Sequence, residues 1–211
     1  MRSLKLITPP AVEPVTLAEA KQQARIDLGD DDAFVTALIV AARQWAEHYT
    51  GRAFLAQVWQ LWLDDAPGAG DEMAFGVSDL SCADCGYVAL ARAPLMAVSS
   101  VQTFDDNDVA TVWNAANYYV DTAHEPGRLA LRRGAVWPVP TRAVNGLMIQ
   151  YMAGYGAEAG AVPETIRMAI RQLVAHWYEH RGEASLDAAA MAPLTVRALL
   201  DPYRLRSLGG V

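Results

Sequence analysis

The chain is poor in cysteine, lacks any basic run and has no long apolar run, and each shortage removes a class of protein. Two cysteines in 211 residues cannot build a disulfide framework. Lys and Arg number 17 against 24 Asp and Glu, a net charge of −7. With no basic cluster to neutralise phosphates, a general polyanion binder is excluded. An acidic channel through which DNA passes without sticking stays open. The longest helical apolar stretch, residues 33–42, contains Thr36 and is too short to span a bilayer. The opening Met1–Pro10 lacks the apolar core of a signal peptide, so the expectation is a soluble protein made in the cytosol. No phosphate-cradling glycine loop is present. Gly154 and Gly156 follow a predicted strand but lead into a further loop rather than a helix, and Ser99 and Ser100 lack the setting of a nucleophile elbow.

What remains is 53% apolar and 19% charged, the composition of a globular chain long enough to bury a sizeable core. Leu4–Pro14 reads as extended and proline-rich. Thr16-Leu17-Ala18-Glu19 spells a capping box, starting a short helix that runs to about Ile26. The acids Asp30, Asp31 and Asp32 suit the positive end of a second helix over residues 32–49. Phe34, Leu38, Ala41 and Trp45 predict its buried stripe, and Gly51 its stop. The period then changes. Strands are expected over residues 58–63, 87–90, 98–104, 118–121, 128–131 and 146–153, separated by turn-rich pieces. Ala66–Gly86, rich in Gly, Asp and Ser, reads as a long loop.

Helical periodicity returns at Pro163, well placed for a first helical turn, with Ile166, Ile170, Leu173 and Trp177 as the stripe. A last short helix over residues 193–200 ends at Asp201-Pro202, where proline forbids continuation. The expected fold is α+β. Residues 1–55 and 156–211 form a helical core from both termini, and residues 56–155 form an inserted antiparallel β region.

Two short motifs invite a metal. His176-Trp177-Tyr178-Glu179-His180 spells H-x-x-E-H, the pattern in which two histidines one helical turn apart hold zinc and a glutamate acts as base. A third ligand is needed, and only Glu183, Asp187 and Asp201 follow, all close by or on the terminal segment. An internal parallel gives a simpler account. Trp45-Ala46-Glu47-His48 ends the second helix as Trp177–His180 ends the later one, each followed by Arg and Gly. A Trp anchors each stripe, and His and Arg meet the negative helix end before a glycine stop. Cys82-Ala83-Asp84-Cys85 supplies two thiol ligands, but a ribbon needs a second pair. His124 or Asp84 could complete a site that no spacing requires. Trp59, Trp62, Tyr118 and Tyr119 sit at strand positions without basic sequence neighbours, which favours packing over base stacking. No catalytic, cofactor-binding or metal residue is assigned.

The chain resembles the head–tail connector (adaptor or head-completion) proteins of long-tailed phages, prophages and gene transfer agents. The resemblance rests on Leu4–Pro10, Pro14–Lys21, Ala46–Arg52, Tyr118–Asp121 with Pro126-Gly127-Arg128, Tyr151–Gly156, Val162-Pro163, Ala175–Arg181 and Ala198–Arg204, in order along nearly the whole chain. The departure is Ala66–Gly86, which is longer than expected there. The resemblance implies a structural role without enzymatic activity or cofactor. Copies, commonly about twelve, would form a ring closed by rotation in the neck of a virion or phage-like particle assembled in the bacterial cytoplasm. The ring would lie between the portal and a tail-side stopper or tail terminator protein, contact no membrane, and let DNA pass without sequence-specific binding.

From the residues themselves, the segment after Pro202 has too few apolar residues to fold alone. Leu199, Leu200, Pro202, Tyr203 and Arg204 are therefore expected to anchor a partner, a neighbouring copy or the portal, and deletion from Pro202 onward should abolish docking without unfolding the domain. Two rival readings are a zinc-dependent hydrolase using His176, His180 and Glu179, and a β-domain binding module for carbohydrate, tail or surface ligands.

Overall fold

The computed structural model describes residues 2–27, 29–65, 87–181 and 192–205. The Ala66–Gly86 segment with its cysteine pair, Glu183, Asp187 and the last six residues lie outside the described residues. The chain divides into a β unit, within residues 1–9 and 56–154, and a helical unit, within residues 10–55 and 155–204. No described helix is long and apolar enough to cross a membrane.

The β unit holds two antiparallel sheets. Five strands, β1 (Arg2–Thr8), β2 (Gln57–Leu63), β4 (Leu95–Phe104), β5 (Ala110–Val112) and β8 (Leu147–Ala153), lie in the order β1-β2-β8-β4-β5. Three more, β3 (Tyr87–Ala89), β6 (Tyr118–Asp121) and β7 (Arg128–Leu131), lie in the order β3-β7-β6. Strand alternation dictates the burial. Gln57, Trp59, Leu61 and Leu63 of β2 are buried, while Val58, Gln60 and Trp62 are half-buried. On the second face, Gln60 opposes Gln150 of β8 and donates to its side-chain carbonyl at 3.0 Å. Tyr151 of β8 is fully buried and donates its hydroxyl to the Ala91 carbonyl at 2.9 Å, and burial pushes its phenol pKa well up.

Two of these strands differ from the sequence expectation. The extended N-terminal segment, grouped with the helices in the sequence reading, is strand β1, paired along β2 from Arg2↔Leu63 to Thr8↔Val58. Strand β5 is three residues pairing with the end of β4, too short to register as an alternating pattern. Gly154 has φ 144° and donates to the Pro94 carbonyl at 2.9 Å, turning the chain out of the sheet.

The helical unit contains α1 (Leu17–Ala24), α2 (Asp32–Thr50), α3 (Glu164–Glu179) and α4 (Leu194–Leu200), the last running into a 3₁₀ turn, Asp201–Tyr203. The capping box at α1 closes in both directions. The Glu19 amide donates to Thr16 Oγ1 at 3.2 Å, and the Thr16 amide donates to Glu19 Oε2 at 2.8 Å. Gly51 ends α2 with φ 74°, its amide on the Glu47 carbonyl at 2.9 Å. Helix α3 packs against α1, α2 and α4 and buries Ile166, Ile170 and Leu173 as its period requires, with Trp177 only partly buried.

The stripe on α2 is a correction. Phe34 is 42% exposed and Ala41 is exposed, whereas Val35, Ile39, Ala42 and Ala46 form the buried face, with Leu38 and Trp45 at its margin. Choosing the bulkiest residues misplaces the face by one position, because small alanines mark where the helix meets its neighbours closely.

Glu19 also joins α1 to α3 through an ion pair with Arg167, whose Nε donates to the Pro14 carbonyl at 2.8 Å. The Thr16 amide holds the Glu19 carboxyl below its ordinary value near 4.5, helped by the Thr16 hydroxyl and Arg167 against the opposing effect of burial. A depressed carboxyl contributes stability that is present above the ordinary value and lost as pH falls through the folded one. Glu19→Gln should therefore cost about 1 kcal/mol at pH 7. Urea unfolding of both proteins should show the gap closing as pH falls below the usual carboxylate range. A gap independent of pH would contradict the assignment.

Candidate functional site

The C-terminal turn belongs to the fold before it can serve a partner. Leu200 and Val196, one helical turn apart on α4, are fully buried in the helical core, and Leu199 and Tyr203 pack partly against it. The 3₁₀ turn is held by the end of α2. Tyr49 donates its hydroxyl to Asp201 Oδ1 at 2.7 Å, and Arg52 Nε donates to the Tyr203 carbonyl at 2.5 Å. The hydrogen bond to Asp201 holds the Tyr49 phenol above its ordinary pKa, with burial adding to it. The Arg204 guanidinium lies 4.9 Å from the Tyr49 ring centroid, and that ring stacks on Trp45 at 5.1 Å and 11°. Of the five residues expected to anchor a partner, only Pro202 and Arg204 are exposed, and Leu199 and Tyr203 are half-buried. Leu200 is removed from that set, because its side chain fills the protein's own core.

The H-x-x-E-H residues form a helix end. His180 is the cap residue of α3, its Nδ1 lies 2.8 Å from the His176 carbonyl, and the two imidazoles are 4.3 Å apart. Glu179 is exposed. Beside them, Tyr178 donates its hydroxyl to Asp31 Oδ2 at 2.5 Å, and Arg181 reaches the same oxygen at 2.8 Å while lying over the Tyr178 ring at 4.5 Å. Asp31 immediately precedes α2, so this cluster ties the C-terminus of α3 to the N-terminus of α2. Hydrogen bonds from Tyr178 and Arg181 hold the Asp31 carboxyl below its usual range. Among the described residues no group of three His, Cys, Asp or Glu side chains is placed to share a metal ion.

The likeness between the two helix ends does not extend to their glutamates. Glu47 is buried where Glu179 is exposed. Its Oε2 accepts from Arg43 at 2.8 Å and its Oε1 from the Phe54 amide at 2.9 Å. Arg43 is itself 5% exposed and donates through Nε to Glu13 at 2.7 Å. Burial pulls the guanidinium pKa down, but the bonds to Glu13 and Glu47 outweigh it and leave it raised. This network escapes the sequence reading. Its signal is an Arg–Glu pair at i, i+4 lying beside Val35, Ile39, Ala42 and Ala46 once the face is drawn correctly.

Nor do the strand aromatics lack basic neighbours in space. Arg92 lies 5.1 Å from the Trp59 ring, and Arg132 lies 4.0 Å from Tyr119, which is 52% exposed. Trp59 and Tyr118 are buried, and Trp62 meets Phe104 at 5.3 Å. Packing accounts for three of the four, and Tyr119 presents a stacked Tyr–Arg pair at the surface.

Residues 14–76 match the family model of the Phage gp6-like head-tail connector protein. Solved structures resemble the chain along almost its whole length. A chain in the neck of an empty gene transfer agent particle, computed with C6 symmetry, shares 25% identity at a TM-score of 0.75, covering 99% of this chain and 98% of that one. A chain in the virion of a native gene transfer agent particle shares 26% identity at a TM-score of 0.75, covering 98% of each chain. A third, in the neck of a native particle computed with C12 symmetry, shares 25% identity at a TM-score of 0.69 over 98% of each chain. Among curated proteins none matches. The resemblance to the head–tail connector family is borne out by the family model and by these neck and virion chains.

Proposed function

We propose that this chain, a head–tail connector protein by family resemblance, is a structural adaptor in the neck of a phage or phage-like particle. Copies form a ring between the portal and the next tail-side component, around the path of the DNA. The observation that carries this reading is the match over 98–99% of the chain to neck and virion chains at 25–26% identity. The match therefore spans the residues of both units. The C6 and C12 symmetries belong to the matched particles and favour a closed cyclic assembly here. At −7 per copy, a ring would repel the duplex and give a weakly interacting conduit. The reading assigns no catalytic activity. The zinc alternative is disfavoured by the roles of His176 and His180 at a helix end.

Portal contact falls to the exposed residues of the C-terminal turn, Pro202 and Arg204, with Leu199 and Tyr203 at its margin. Deleting from Pro202 onward would also remove the Tyr203 carbonyl that holds Arg52, so substitution isolates docking from folding. The double variant Pro202→Asp/Arg204→Glu should lose no more than about 1 kcal/mol of unfolding free energy, the scale of Arg204's exposed contacts with the Tyr49 ring and Asp201. Heads purified from cells producing it should lack both the chain and tails. Heads carrying a full complement of the chain and tails would overturn the assignment of this turn.

A further inference from the structure

Among the described residues the five-stranded sheet has an open edge at each end, and the two edges differ in charge. At one edge, Lys5, Leu6, Ile7 and Thr8 of β1 are all exposed, and β1 pairs only with β2 among the described residues. At the other edge, Ala110, Thr111 and Val112 of β5 are all exposed, and among the described residues β5 pairs only with β4. Each edge carries aliphatic surface: Leu6 and Ile7 are each 40% exposed on β1, while Val109 and Val112 are 57% and 67% exposed beside and on β5. A free strand edge with exposed aliphatics is a template for a further strand.

The charges favour one partner. Strand β1 carries Arg2 and Lys5 and no acid, whereas the turn between β4 and β5 carries Asp105, Asp106 and Asp108. Asp105 shapes that turn by accepting the amides of Asn107 and Val109 at 2.9 and 2.8 Å, and Asp108 pairs with Arg142 at 3.1 Å. Asp106 and Lys5 are exposed and have no side-chain partner among the described residues. A ring requires a patch on one copy to meet a different patch on the next, repeated until rotation closes the circle. Two edges of one sheet, aliphatic and oppositely charged, meet that requirement.

We propose that the β5 edge and its acidic turn receive the β1 edge of the neighbouring copy, so that the sheets join side by side around the ring. The proposal rests on the connector reading and adds to it the surfaces through which copies meet. Lys5 of one copy then lies against the Asp105–Asp108 turn of the next, with Leu6 and Ile7 against Val109 and Val112. The short length of β5 limits the strand contact to about three residues, so charge complementarity sets its register.

Lys5 and Lys21 are the only lysines, and Lys21 is paired with Asp32 at 2.6 Å, which makes a sharp chemical test possible. A water-soluble carbodiimide joins an amine to a carboxylate without a spacer. Within one chain the two edges are separated by four strand spacings, roughly 19 Å, so such a link cannot form internally. Treatment of purified particles should give a ladder of covalent multimers, with mass spectrometry locating the link between Lys5 and Asp105, Asp106 or Asp108. Lys5→Gln should remove the ladder. Lys5→Glu should lower the yield of tailed particles about tenfold through like-charge contact, and Lys5→Glu combined with Asp106→Lys should restore it, which loss of folding could not explain.

Particles that contain the chain in the neck but give no Lys5 link to this turn would overturn the proposed interface and leave the connector reading standing. Particles from which the chain is absent would overturn both.

Discussion

Glu47→Ala should lower the stability of the helical unit by about 3–5 kcal/mol, the range found when one partner of a buried ion pair is removed. The substitution takes the carboxylate from beside Arg43, which is 5% exposed, and leaves that guanidinium with Glu13 alone. It also strips the Phe54 amide of its acceptor. That bond fixes the chain just after Gly51, where α2 ends and Phe54 and Leu55 enter the core. Glu47→Gln keeps an acceptor for the amide and should lose less. Arg43→Met combined with Glu47→Leu should lose less than Glu47→Ala alone, because no buried cation is left short of a partner. Urea unfolding of the four proteins at pH 7 checks the order. A loss below about 1 kcal/mol for Glu47→Ala, the scale of an exposed pair, would show that the network contributes little.

In the β unit the largest expected effect comes from one added methyl. A Cβ at Gly127 would lie 2.4 Å from Leu95 Cβ and 2.5 Å from Leu95 Cδ2. Gly127 is pinned in place, since its carbonyl accepts the Leu90 amide at 2.8 Å, and Leu95 is paired with Ala153 in the sheet. The nearest clash is with a β-carbon, which no rotamer change can move. Gly127→Ala should therefore cost about 1–3 kcal/mol, the usual penalty of overpacking. Leu95→Ala added to it should fail to rescue the loss, because alanine keeps the offending Cβ. An unfolding midpoint equal to the parent's would refute the close packing of this glycine against β4.

The legible parts of this fold are those whose cause is local. Thr16 and Glu19 announce a helix start because the capping box is completed within four residues, and Gly51 and Pro163 mark boundaries through their own backbone preferences. Strand β2 alternates between buried and half-buried positions along its own length. Strand β1 does not, because its pairing partners lie 50 to 61 residues further along the chain and nothing near Leu4 shows them. The face of α2 is hidden in the sequence for a related reason. Bulk at Phe34 and Trp45 is visible in the sequence, whereas close approach at Ala42 and Ala46 depends on what α3 presents. Leu200 carries the same lesson for the site. Its four-residue spacing from Val196 points inward, whereas the scarcity of apolar residues beyond Pro202 points outward. The family likeness was legible because it is distributed, each mark being weak and their order specific.

On the proposed connector reading, the two units take separate tasks. The helical unit secures the C-terminal turn through Tyr49, Arg52 and Asp201, so Pro202 and Arg204 are presented from a fixed base. The β unit carries open edges of opposite charge, suited to meeting its own kind. Neither task needs a reacting group, and His176 and His180 are explained by the helix they end.

The central claim is that this chain is a component of a particle neck, and imaging tests it most directly. Particles assembled with the chain carrying a compact density label, reconstructed without imposed symmetry, should show the label as a ring at one capsid vertex only, between the portal and the tail. Label found throughout the capsid shell, along the tail, or in none of the particles would contradict the account.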